Sequence, residues 1–157
     1  MGHDNTGMNS FQREQLTESM VSEVMPLLEQ HWREIAHDLT IPLSVDWERY
    51  FMMQANDAFR VFTVRRSGEL IGYAAFFVHP NMHYSTSLQA VQDVIFIRED
   101  MRRGSLGSRL IRFAEEELKR EGVQLVLHHI KAKHNWGALL ERMGYTLVDL
   151  IYAKRIN

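Results

Sequence analysis

The residues best suited to chemistry stand in one run, from Val94-Ile95-Phe96-Ile97 through Arg98-Glu99-Asp100-Met101-Arg102-Arg103-Gly104-Ser105 to Leu106-Gly107-Ser108-Arg109-Leu110-Ile111. An apolar strand enters a small, basic, glycine-containing turn, and the turn opens an amphipathic helix. Such a turn leaves backbone amides unpaired at the positive end of a helix dipole, which suits phosphate or pyrophosphate. Arg102, Arg103 and Arg109 add screening charge. No Gly-Lys-Ser/Thr follows, so this is not a triphosphate-binding loop, and the third glycine and downstream acid of a dinucleotide site are missing. The pair His79 and His83 has the spacing of a metal site, but Pro80 interrupts any helix that would align them, and no third ligand is placed, so no metal is expected. Histidine as a residue type has its ordinary pKa closer to neutrality than a carboxylate, which makes His128, His129 and His134 further candidates for proton transfer. Adjacent strand residues face opposite sides, so only one of His128 and His129 can point into a given cleft.

These groups need a scaffold, and the composition bounds it. A chain of 157 residues, 45% hydrophobic and 24% charged, fits one globular domain. A net charge of -2 lacks the broad attraction to phosphate backbones of a nonspecific nucleic-acid binder, so no nucleic-acid partner is expected. The absence of cysteine removes thiolate chemistry. With no apolar leader and no apolar stretch of about 18 residues, the expectation is a cytoplasmic protein with no membrane partner. Residues 1–10 read as a flexible leader and residues 11–157 as one domain.

Periodicity orders the elements. A short strand over 11–16 precedes a helix over 20–37, whose apolar stripe is Val21, Val24, Leu28, Trp32 and Ile35 and in which Pro26 predicts a start or a kink. Asp46 caps a second helix reaching Ala55. Arg60 opens a hairpin that turns at Ser67-Gly68 and returns over 70–78. Strand 88–97, helix 105–120, strand 124–130, helix 135–143 and a last strand 146–155 follow, with Gly122 and Gly144 as helix stops. Strand, helix, strand, helix, strand after a hairpin implies an α/β or α+β class with a mixed sheet. The edge strand 146–155 could pair across a two-fold axis, giving a homodimer.

The run at 102–107 resembles motif A of the GNAT N-acetyltransferase superfamily, Arg/Gln-x-x-Gly-x-Gly/Ala after a strand. Arg102 and Gly107 match its ends, Ser105 stands where the first glycine is usual, and Gly104 lies one residue earlier. The hairpin before, the strand after, and the ending Leu139-Leu140-Glu141-Arg142-Met143-Gly144-Tyr145 extend the likeness over about residues 11–155. It implies a mostly antiparallel sheet of six to seven strands with helices on both faces. It also implies acetyl-CoA between splayed strands 88–97 and 124–130. Pantetheine would pair with the backbone of Ile95, Phe96 and Ile97, and the turn Arg102, Arg103, Gly104, Ser105, Leu106, Gly107 and Ser108 would hold the pyrophosphate. Asn135 takes the place of the family's helix asparagine.

The implied reaction is direct transfer of acetyl to a primary amine, in a small molecule or a peptide. An amine of pKa about 10.4 needs a base. Asp93, on the strand flanking the thioester, is the first candidate, with His129 the second. His83 and Tyr84, in a polar aromatic loop outside the motif, are the candidate acceptor contacts. The tyrosine that serves as general acid in the family is Leu140 here, leaving Tyr145, Tyr152, a histidine or water. That departure, with Ser105, keeps open a second reading as a CoA-binding sensor or interaction protein without catalysis.

Overall fold

The computed structural model describes residues 8–157. In chain order the elements are β1 (Asn9–Glu14), α1 (Glu18–Ile35), α2 (Trp47–Ala55), β2 (Phe59–Arg66), β3 (Glu69–Pro80), β4 (Leu88–Ile97), α3 (Leu106–Arg120), β5 (Leu125–Leu127) and α4 (Gly137–Arg142). One sheet of five strands, ordered β1-β2-β3-β4-β5, carries the fold. Its first three pairings are antiparallel and β4 with β5 is parallel.

Local chemistry sets the boundaries. The Thr17 hydroxyl accepts from the Met20 amide at 3.1 Å, satisfying a free donor at the start of α1. Asp46 does the same for α2 through the Arg49 amide at 3.0 Å. The β2–β3 hairpin turns on Ser67 and Gly68, both at positive φ (50° and 85°), the twist a tight antiparallel turn requires. Helix α1 continues through Pro26 rather than starting there.

Two cores form on the two faces. Helix α3 lays Leu106, Leu110, Ala114 and Leu118 against Phe62, Val64, Ile71, Ala74 and Phe76. On the other face α1 sets Met20, Val24 and Leu27 against Phe59, Val61, Tyr73, Ala75 and Phe96. Helices on both faces of a mixed, mostly antiparallel sheet are what the sequence leads one to expect.

The differences lie at the two ends. Among the described residues five strands are present where six to seven were expected. Asn9 and Ser10, read as leader, pair with Arg66 and Arg65 in β1, while residues 1–7 of that leader lie outside the described residues. The expected strand 124–130 shortens to β5. The expected strand 146–155 is unpaired: Leu147, Ile151 and Tyr152 are 73%, 77% and 89% exposed, and the tail is tied down where Arg155 meets Asp38 and Thr40. Apolar alternation specifies a strand only where an adjacent strand offers free backbone groups. Among the described residues no helix is long and apolar enough to cross a membrane.

Candidate active site

The site begins with a failure of pairing. Strand β4 joins β5 only at Gln89, Ala90 and Val91, opposite Leu125, Val126 and Leu127. Beyond these the chains part, and Gln92 to Ile97 line one wall of a cleft of about 370 Å³. His129, Lys131, His134, Trp136 and Leu139 line the far wall, and His31, Glu34 and Ile35 of α1 close one side. On the cleft side, the backbone N–H and C=O groups of β4 from Gln92 onward have no strand partner.

A bulge aims Asp93. Val94 pairs with Ala75 and Gln92 with Phe76, so Asp93 has no counterpart on β3. The extra residue turns its carboxylate towards α2, where the Tyr50 hydroxyl donates to Oδ2 at 2.6 Å. Asp93 lines the cleft, and burial raises its pKa above the usual aspartate range against the opposing pull of the Tyr50 bond. The hydroxyl of Tyr73 is buried without a partner among the described residues, and its pKa is pushed up by burial and then by the charge of Asp93.

The turn between β4 and α3 supplies the other end. Gly104 takes φ +83°, the left-handed conformation that glycine tolerates, while Ser105 sits at φ -100°. The glycine the turn needs is therefore Gly104, and serine at 105 carries no backbone strain. No side chain caps the first turn of α3, so its amides stay available. A Cβ built on Gly107 meets nothing within 4 Å, and Gly104, Gly107 and Ser108 border the cleft.

Arg102 spans the gap. Its Nε donates to the Ile97 carbonyl at 2.8 Å, its Nη2 donates to both Glu34 carboxylate oxygens at 2.9 and 2.8 Å, and the guanidinium lies 5.0 Å from the Phe96 ring centroid.

Of the candidate residues, Asp93, Ile95, Phe96, Ile97, Arg102, Gly104, Gly107, Ser108 and His129 come together around this cleft. The others do not border it. Arg103 lies with Gln30, Arg98, Glu99 and Asp100 at a separate surface depression, Ser105 is exposed, and Leu106 is buried in the α3 core. The Asn135 side chain accepts from the Gly137 amide at 2.8 Å, holding the entry to α4. His83 and Tyr84 sit in an exposed turn whose amides bond the Asn81 side chain, and Tyr84 is 69% exposed. Among the described residues no group of three His, Asp or Glu side chains is arranged to hold a metal.

The two adjacent histidines do face apart. His129 borders the cleft, whereas His128 Nδ1 lies 2.6 Å from Gln92 Oε1 and Nε2 lies 3.2 Å from the Tyr145 hydroxyl. The Gln92 amide nitrogen donates to the His129 carbonyl at 3.2 Å, which leaves its Oε1 facing the His128 ring. Burial holds His128 near pKa 4. Tyr145 in turn donates to Glu115, and Leu140 is buried, so neither stands in the cleft.

Sequence reading missed His31, which is 8% exposed and stacked on Phe96 at 4.9 Å. Burial lowers its pKa to about 4, so it is neutral at pH 7. The signal was present: the buried stripe of α1 is Met20, Val24, Leu27 and His31, one residue out of phase with the stripe inferred from apolar residues alone. Glu34 follows His31 by three positions, on the same side of the helix.

A family model described as the acetyltransferase (GNAT) family matches residues 21–145. A ribosomal-protein-alanine N-acetyltransferase from Brucella melitensis biovar Abortus 2308 superposes with a TM-score of 0.72 at 16% identity, over 96% of this chain and 100% of that one. Glucosamine-6-phosphate N-acetyltransferase from Arabidopsis thaliana gives 0.70 at 15% identity, over 94% and 99%. A predicted acetyltransferase from Clostridium acetobutylicum, in a structure with acetyl-CoA, gives 0.69 at 13% identity, over 94% and 96%. At these identities the likeness is one of fold. No curated protein sequence matches the chain. With four-fifths of its length matched to the family model and a cleft opened by the parting of β4 and β5, the chain belongs to the GNAT acetyltransferase family.

Proposed function

We propose that this protein is an acetyl-CoA-dependent N-acetyltransferase that acts on the primary amine of a small molecule or peptide by direct attack within a ternary complex. The observation that carries the reading is the continuity of one cleft from the uncapped start of α3 to the carboxylate of Asp93. The residues fit the co-substrate chemically. Amides at Gly104 to Ser108 and the guanidinium of Arg102 suit a pyrophosphate, and the cleft-side edge of β4 at Ile95 to Ile97, which has no strand partner, suits the amides of a pantetheine arm. Bound there, the thioester would supply an activated acetyl carbonyl.

The chain's own groups handle the protons. Asp93, raised in pKa by burial and hydrogen-bonded by Tyr50, is placed in the cleft to accept the proton that an ammonium group must lose, directly or through water. His129 is the second candidate at the opposite wall. The proton for the leaving thiolate comes from a cleft histidine or water, since Leu140 and Tyr145 are turned away and Tyr152 lies on the exposed tail.

Thermal unfolding with acetyl-CoA, CoA and ATP tests the cofactor half of the reading. A ligand at about 100 times its Kd adds roughly 2.7 kcal/mol to stability. A shift with both CoA forms and none with ATP is expected. Enzyme-dependent thiol release with an amine panel then tests catalysis. Cofactor binding with no thiol release from any amine would favour the sensor reading, for which the burial of Leu140 is the supporting observation.

A further inference from the structure

Glu34 occupies an unfavourable place in α1. It stands in the last turn, at the negative end of the helix dipole, where a carboxylate is destabilised and a cation is preferred. Nothing in the helix explains its presence, but its contact across the cleft does. Both of its oxygens accept from Arg102 Nη2, at 2.9 and 2.8 Å, and the pair is only partly exposed, 32% on the arginine and 24% on the glutamate. Both residues line the cleft together with Gly104, Gly107 and Ser108 of the turn. A negative charge is thereby held on the arginine of the turn that is otherwise best suited to an incoming phosphate.

We infer that Glu34 is a resident counter-ion of the cofactor cleft, which a phosphate group of CoA displaces from Arg102, so that cofactor binding releases the carboxyl end of α1. The inference rests on the acetyl-CoA reading. Two anions compete for one guanidinium, while the Nε bond of Arg102 to the Ile97 carbonyl and its position over Phe96 keep the arginine in the cleft whichever anion it holds. The consequence reaches the acceptor side through α1. The same turn carries Ile35, and one turn earlier His31 lies on Phe96, so the freed segment is the side of the cleft that α1 closes. Beyond it residues 36–46 form no helix or strand and are held by the bonds of Arg155 to Asp38 and Thr40, so the release is confined to the last turn of α1. Cofactor binding and acceptor binding are then coupled through one ion pair, with Glu34 acting as a positioning residue.

The test is calorimetric titration of CoA into the wild type, Glu34→Gln, Arg102→Gln and the double variant. Removing the competitor should tighten CoA about fivefold, the upper range for a partly exposed ion pair, whereas Arg102→Gln should weaken it. In the Arg102→Gln background, Glu34→Gln should change nothing. Equal or weaker binding by Glu34→Gln, or additive effects in the cycle, would overturn the inference while leaving the cofactor reading intact. If neither wild type nor variants bind CoA, the cofactor reading falls and this inference with it. Amide hydrogen exchange on the wild type gives a readout that needs no variant to fold: residues 31–37 should exchange faster at saturating CoA, and unchanged or slower exchange would refute the release of α1.

Discussion

At the scale of single residues, the site depends on what burial does to Asp93 and to two histidines. Asp93 has a raised pKa, so its ionised form is penalised in the fold, and stability is lost as pH rises from the unfolded value through the folded one. Asp93→Asn removes that penalty and retains an acceptor for Tyr50, so the variant should melt no lower than wild type at pH 7. Its kcat/KM should fall about a hundredfold or more, with the acidic limb of the pH profile flattened. Near-normal activity across the full profile would take the role of base away from Asp93. His31 and His128 behave in the opposite sense. Each is held near pKa 4 by burial against an ordinary 6.5, so the unfolded chain binds more protons between those values. Their contribution is complete above about pH 6.5 and is lost as pH falls, at up to about 1.4 kcal/mol per pH unit for each. Urea unfolding from pH 7 down to 5.5 should show the decline, and a flat profile would mean that both rings are charged in the folded state.

At the scale of the element, the β4–turn–α3 unit separates the glycine that shapes the turn from the glycine that leaves room. Gly104 is at φ +83° with open space around it, so Gly104→Ala strains the backbone without a clash and should cost about 1 kcal/mol in chemical unfolding. Gly107 is helical and opens on the cleft. A valine there should leave stability unchanged or slightly higher, since valine is a better helix former than glycine, yet sharply weaken CoA binding because its branches enter the space beside the amides. Equal CoA affinity for Gly107→Val and wild type would show that the ligand lies elsewhere. Gly72 is a third case: a Cβ would stand 2.9 Å from the Phe96 carbonyl oxygen and from Val64 Cγ1, so Gly72→Ala must push strands apart and should be the most destabilising of the three.

For the molecule as a whole, the exposed tail is the feature that a single chain leaves unsatisfied. Leu147, Val148, Leu150, Ile151, Tyr152 and Ile156 are each 67 to 90% exposed, and among the described residues the outer edge of β5 has no partner strand. Exposed apolar side chains and an open sheet edge each favour association between copies. Light scattering on the wild type should therefore show self-association that the triple change of Leu147, Leu150 and Ile151 to serine abolishes. A monomer at all concentrations would count against the two-fold pairing expected for residues 146–155.

The signals that were local in sequence survived folding. Ser67-Gly68, Asp46 as a cap, the bounds of β4 and the strand–turn–helix run at 94–111 all depend on dihedral preference and short-range periodicity, which neighbouring residues carry with them. The family likeness and one wall of the cleft could be read from that run. What folding alone decided were relations between distant residues. Tyr50 and Asp93 are 43 positions apart, and Glu34 and Arg102 are 68, and neither pairing leaves a trace in spacing. The bulge that aims Asp93, the parting of β4 from β5, and the unpaired tail are likewise outcomes of register and partner availability across the sheet. A sequence records which residues prefer to be extended or helical; which backbone edge remains free, and which carboxylate meets which arginine, is settled only when the sheet and its helices pack.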